Sequence, residues 1–340
     1  MGNKKLKNEI SLFLLLILAL LIFIFSFYIL GFNREINYHY FKTSLIQSIG
    51  YKFVPKTITL MFVGDIMLDR GVKWSIEKYG DNDWKFPFLE IAEYLQEADI
   101  LFGNLESQIS DKGIKVGSIY SFRAKPESLE GLIYAGFDVL SVANNHVFDY
   151  GREAMEDSFS NLKKAGISYV GGGFSSIEAH SPIIKEINDT TIAFLAYTNL
   201  GTPYWKATEG YSGIAWLDEE ITKDIKLAKE KANVIIVSMH FGEEYRTKPN
   251  IEQKYLARLA IDSGADLVIG HHPHIAQEVE RYKLGYIAYS LGNFIFDQGF
   301  SESTMEGLIL KVLLKNGRIK EVVPLKIKIN KFFQPIIAKD

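Results

Sequence analysis

The chain has 340 residues, 47% of them hydrophobic, with 38 basic and 41 acidic side chains and a net charge of −3. Such a length and apolar content supply a buried core for one large domain or two small ones and exclude a disordered chain. The charge balance leaves no global positive field to recruit nucleic acid, and the lack of cysteine excludes disulfides, thiolate metal sites and a lipidated cysteine anchor.

In chain order, "NKKLK" within residues 1–9 precedes an uninterrupted apolar run from Ile10 to Leu30. The run is long enough to cross a bilayer core of about 30 Å. Its basic flank belongs in the cytoplasm, which predicts a single-pass anchor in the cell membrane over 10–31 and an extracytoplasmic remainder. A cleavable signal peptide is the competing reading, but it carries a shorter apolar core and small residues at its exit, whereas this exit reads "SFYILGFNREINY". Residues 32–56 read as a stalk, 57–330 as the folded domain and 331–340 as a tail.

Within the domain, short apolar, β-rich runs each end in a polar cluster. "ITLMFV" ends at Gly64 and Asp65, "DILF" at Gly103, Asn104, Leu105 and Glu106, and "FDVLSVA" at Asn144, Asn145 and His146. "NVIIVSM" ends at His240, "ADLVIG" at "HHPH" (His271 to His274), and "GYIAYS" at Leu291, Gly292 and Asn293. Helical segments fall between them, at Phe88 to Ala98, Pro126 to Ala135, Arg152 to Ala165, Asp218 to Lys231 and Ile251 to Ser263. The alternation predicts an α/β fold with a mostly parallel, doubly covered sheet. Ligands gather outside the carboxyl ends of such strands, where these clusters meet. Asn316-Gly317 predicts a late hairpin whose strands complete the second sheet.

Taken singly, the clusters have plain structural readings: Asp65 as a cap, Asn104 and Asn145 as turn residues, His240 as a core histidine. Three imidazoles within four residues are harder to explain by packing. Five of the seven histidines sit at strand exits, leaving His39 and His180 elsewhere. Carboxylate, amide and imidazole donors without thiolate suit one or two divalent ions, Mn, Zn, Fe or Mg. Around this edge, Glu244 and Tyr245 are candidates for substrate binding or for capping the helix near Asn250. Arg123 is a candidate for an anionic group, phosphate or polymer carboxylate. Asn293 turns back toward the metal loops, and Asp297 is a candidate partner ordering one of the histidines.

The order Gly-Asp, Gly-Asn-x-Glu, Asn-Asn-His, His-x-Gly-x-Glu-Tyr, Gly-His-His-Pro-His, Ser-Leu-Gly-Asn-Phe from Thr57 to Gly299, with "YSFRAKP" and "DYG", resembles the CapA family of bacterial capsule synthesis proteins. That family includes the membrane-bound component of poly-γ-glutamate synthesis and export, and it resembles calcineurin-like metallophosphoesterases. The resemblance implies a four-layer α/β/β/α sandwich of metallophosphoesterase type with the metal site at one edge, preceded here by the N-terminal transmembrane helix. It implies Asp65, Asn145, His240 and two among His271, His272 and His274 as ligands, with His146 near the leaving group. Asn104 and Glu106 complete the candidate ligands, and Asp65, Glu106 and His146 are the candidate catalytic residues. Three positions depart from the patterns. Met67 stands where phosphoesterases have the histidine of Asp-x-His, Asn104 where they have a bridging aspartate, and Phe241 where a Trp is common in the family. The expected partners are the membrane, an anionic envelope polymer such as poly-γ-glutamate, and membrane-embedded polymer-synthesis subunits. Two functions follow: a metal-dependent hydrolase or transferase, or a non-catalytic polymer-binding scaffold.

Overall fold

A computed structural model of the chain describes residues 17–18, 56–116 and 118–338. The expected anchor over 10–31 and the stalk over 32–56 lie outside these apart from residues 17, 18 and 56. Among the described residues no helix is long and apolar enough to cross a membrane.

The strands, in chain order, are β1 (Ile58–Ile66), β2 (Ile100–Leu105), β3 (Val139–Ser141), β4 (Ser168–Val170), β5 (Ile183–Ile187), β6 (Thr190–Thr198), β7 (Val234–His240), β8 (Leu267–His271), β9 (Val279–Tyr282), β10 (Gly285–Ala288), β11 (Asn293–Ile295), β12 (Glu306–Lys315), β13 (Arg318–Ile329) and β14 (Pro335–Ile337). The first sheet runs β14-β13-β12-β1-β2-β3-β4, with β11 beside the exit end of β1, and the second runs β9-β10-β8-β7-β6-β5. Pairing is parallel from β1 through β4 and among β6, β7, β8 and β10, and antiparallel toward the remaining edges.

Alternation along the strands builds the layers, since successive side chains leave opposite faces. Ile58, Leu60 and Phe62 of β1 join Ile192 and Phe194 of β6 and Val234 and Ile236 of β7 in one core between the sheets. Met61 and Val63 face away from it, into a second core with the helices on that side. Ala193, Leu195, Ile235 and Val237 do the same on the outer face of the second sheet. Each large side chain so buried contributes about 1.5–3 kcal/mol.

The helices are α1 (Arg70–Tyr79), α2 (Leu129–Ala135), α3 (Gly151–Lys164), α4 (Ile221–Lys229) and α5 (Ile251–Ser263), besides shorter turns. The limits of α5 match expectation because both ends are marked. Asn250 and Gln253 exchange side-chain-to-backbone hydrogen bonds of 2.8 and 3.0 Å, and Gly264 stops the helix at φ 118°. The helix expected from Phe88 to Ala98 reduces to a 3-10 turn at Phe86–Phe88 and a single α turn at Ala92–Leu95.

Asn316 and Gly317 take φ 54° and 66°, the mirror-image turn that joins β12 to β13. These strands extend the first sheet rather than the second, because β12 pairs with β1 and sends Leu310, Val312 and Leu314 into the core between the sheets. Nor do residues 331–338 form a free tail. β14 pairs with β13, and buried Gln334 donates to the Phe86 carbonyl at 2.6 Å.

Candidate metal centre

Five strand exits converge on one edge. Gly64 allows this locally: a Cβ there would meet the Gly292 carbonyl oxygen at 1.9 Å, so only glycine lets β11 run against β1 and set Asn293 opposite Asp65. The Asp65 side chain is fully buried. Its Oδ1 accepts from Asn104 Nδ2 at 2.8 Å and its Oδ2 from the His272 N–H at 3.2 Å. His271 Nδ1 lies 3.2 Å from Oδ1 and His274 Nδ1 3.4 Å from Oδ2. Burial alone would push this carboxyl up, but His271 and His274 outweigh it and hold it well below the usual range, so Asp65 is an anion shared by both sheets.

Glu106, two residues past Asn104, is equally buried. Burial first, then the charges of Asp65, Glu244 and Asp149, push its carboxyl well up. Its Oε1 has no hydrogen-bond partner and faces His274 Nε2 at 3.6 Å and His146 Nε2 at 3.7 Å. His146 is aimed by Asp149, whose Oδ2 meets Nδ1 at 2.8 Å, and its ring lies 4.1 Å from that of Phe122. Asn104 presents its amide nitrogen to Asp65, to Glu106 Oε2 at 3.5 Å and to His240 Nδ1 at 3.2 Å. Asn144 supports it, donating to Asn104 Oδ1 at 3.4 Å and to the Leu105 carbonyl at 2.8 Å. Asn145 Oδ1 meets His240 Nε2 at 2.7 Å.

Imidazoles dominate the second sheet's side. Burial and the neighbouring His272 push His240 well down, and burial with His274 lowers His272 to about 3, so both rings are neutral donors. His272 and His274 occupy left-handed backbone at φ 96° and 55°, flanking Pro273. Such conformations cost about 1–2 kcal/mol each and persist where the surroundings impose them.

These side chains form two three-residue groups, Asp65 with Glu106 and His240, and Glu244 with His272 and His274. Within each, one ligand atom per residue lies within 4.8 Å of the others. Glu106 Oε1, His272 Nδ1 and both ring nitrogens of His271 are buried without hydrogen-bond partners. Orphaned donors of this kind call for a ligand, and the oxygen and nitrogen set is compatible with divalent metal.

Other expected residues are placed differently. Glu244 joins the histidines instead of standing apart for substrate. Tyr245 packs its ring 6.1 Å from His274, where burial and Glu244 push its phenol up to about 12. Asn293 does turn back to the metal loops: its Oδ1 accepts from His274 Nδ1 at 2.9 Å, which fixes that nitrogen as N–H. Arg123 is spent on the carbonyls of Lys112 and Gly113, at 2.7 and 3.2 Å, and stacks on Tyr150. Asp297 orders no histidine: its carboxylate takes Arg70 and the Gly71 N–H, because α1 starts beside it. Met67 is buried in the helix-side core of the first sheet. His180 pairs with Asp224 at 2.7 Å, and His39 lies outside the described residues. Sequence reasoning missed Arg70, five residues after Asp65, and gave no role to Asp149, although it noted the "DYG" that begins there.

Comparison with known proteins agrees with this architecture. Residues 59–298 match the bacterial capsule synthesis protein family PGA_cap. The chain is 35% identical to the capsule biosynthesis protein CapA of Bacillus anthracis, over 84% of this chain and 71% of that one. It is 36% identical to the PGA biosynthesis protein CapA of Bacillus subtilis strain 168, over 79% and 72%. A crystal structure of a phosphatase from Mycoplasma pneumoniae superposes with a TM-score of 0.51 at 13% identity, covering 81% of this chain and 95% of the other, and shows a shared mixed α/β, metallophosphoesterase-like fold. The chain belongs to the bacterial capsule synthesis protein family PGA_cap.

Proposed function

We propose that this protein is a membrane-anchored, extracytoplasmic member of its family that works with membrane-embedded subunits in making or exporting an anionic polymer of the poly-γ-glutamate type. Its strand exits are proposed to hold one or two divalent ions at a hydrolase or transferase site. The capsule and PGA biosynthesis for which the two Bacillus relatives are named supports the polymer. The observation that carries the chemistry is the pair of three-residue groups with buried, partnerless Glu106 Oε1 and His272 Nδ1 between them. Bound there, a divalent ion supplies Lewis acidity toward a phosphoester, amide or acyl oxygen and an activated water.

The chain's own residues supply the rest. Asp149 holds His146 Nδ1, leaving Nε2 to pass a proton toward the leaving group. Glu106, with its carboxyl pushed up by burial, accepts or gives a proton 3.7 Å from that nitrogen. Neutral His272 keeps Nδ1 without a hydrogen-bond partner, whereas the neutral His240 ring is engaged by Asn104 and Asn145. The scaffold reading draws on Met67, which is packed in a core, and on Asn104, whose amide nitrogen faces the carboxylates.

Elemental mass spectrometry of the purified full-length protein decides between them. Near-stoichiometric Mn, Zn, Fe or Mg, lost in His272→Ala/His274→Ala, is the expected result. A folded wild type that stays metal-free after each ion is supplied would leave polymer handling as the function.

A further inference from the structure

Arg70 lies outside both ligand groups yet is built against them. It opens α1 in left-handed backbone, φ 49°, a conformation that non-glycine residues rarely adopt. Asp297 holds it there, accepting from Arg70 Nε at 3.2 Å, from Nη2, and from the Gly71 N–H at 2.9 Å. Gly71 is needed for this grip, since a Cβ on it would sit 2.8 Å from Asp297 Cβ. The guanidinium lies 4.6 Å over the Phe122 ring and 6.0 Å from that of Phe296. Phe122 in turn packs on His146, and Phe296 lies 4.8 Å from His274. A fixed cation therefore stands one aromatic ring away from the proton-handling imidazole and from a ligand imidazole.

A partly exposed ion pair by itself contributes little, less than the backbone strain it maintains. The Arg70 side chain is 31% exposed, Asp297 uses only Nε and Nη2, and Nη1 has no hydrogen-bond partner among the described residues. Arg123, the cation first expected to meet an anion, is already engaged elsewhere.

We propose that Arg70, braced by Asp297, Phe122 and Phe296, receives an oxyanion of the substrate, a carboxylate or a phosphate, and so makes the site selective for anionic chains. This deepens the polymer-processing reading of the same edge and rests on it. A guanidinium suits the role because it stays charged and offers directed N–H groups to an oxyanion.

Isothermal titration calorimetry on full-length protein tests it, with inorganic phosphate and a short γ-linked oligoglutamate as separate probes. Wild type, Arg70→Met and Arg70→Lys are compared, with metal content from elemental mass spectrometry and folding from circular dichroism. The expected result is binding of at least one probe by wild type, weakened about 10–100-fold in Arg70→Met and partly restored in Arg70→Lys, at equal metal content. The probe that responds tells carboxylate from phosphate. Undiminished binding by folded Arg70→Met overturns the assignment, as does a wild type that saturates with neither probe. Should Arg70→Met not fold, Arg70→Lys decides: a several-fold loss supports the role and wild-type affinity ends it. Arg70-dependent binding in a metal-free wild type would instead sink the metal reading and leave the anion assignment standing.

Discussion

From the exits of β1, β2 and β3 come Asp65, Asn104, Glu106, Asn145 and His146, mostly oxygen and amide groups. From the exits of β7 and β8 come His240, His271, His272 and His274. The two buried carboxylates of the first set share an edge and a degree of burial, yet their acidities move in opposite directions. Asp65 touches the second sheet's imidazoles and is held low, whereas Glu106 is dominated by burial and acidic neighbours and is driven up. Contact across the sheets, more than depth, decides the charge state.

Removing that contact should have the largest effect. In metal-free protein Asp65→Ala is expected to cost about 3 kcal/mol at neutral pH, the penalty for stripping one member from a buried charged cluster, and to abolish metal retention. Because the folded Asp65 carboxyl is depressed, its stabilisation is present above the unfolded value of about 3.9 and fades as pH falls through the folded one. Urea denaturation of both proteins should therefore show the gap closing in acid, and a gap indifferent to pH would refute the cross-sheet account.

Glu106→Gln should move the other way. A raised carboxyl costs stability as pH climbs from about 4.3 toward its folded value, so the neutral amide is expected to stabilise metal-free protein by about 1–2 kcal/mol at neutral pH while weakening metal binding. A variant less stable than wild type at every pH would show that Glu106 is not a strained anion. The smallest effect belongs to Met67→Leu, a near-isosteric change in a core, expected to cost under about 1.5 kcal/mol with metal content unchanged. Loss of metal there would add Met67 to the ligands.

Much of this edge was legible in the sequence because apolar runs stop abruptly and histidines are rare away from the stops. The meeting of Asp65, Glu106, His240, His272 and His274 at one edge and the limits of α5 followed from such local marks. What did not follow depends on distant partners. Asp297 meets Arg70 across 227 positions, and nothing near either residue announces the pair. α1 escaped notice because its buried apolar positions are only Val72 and Ile76, just past a motif that draws attention to Asp65. Whether β12 and β13 join one sheet or the other turns on which edge lies open beside β1, a property of the assembled fold.

The hydrogen bond from the His272 N–H to Asp65 also spans 207 positions. Closing so long a loop carries a large entropic cost, so this edge is expected to form after the local turns and hairpins. A partly synthesised chain already carries Asp65, Asn104 and His146 but has nothing to set against them. Any ion gathered here is gathered by a finished molecule, which makes the edge a chemical signature of completed folding.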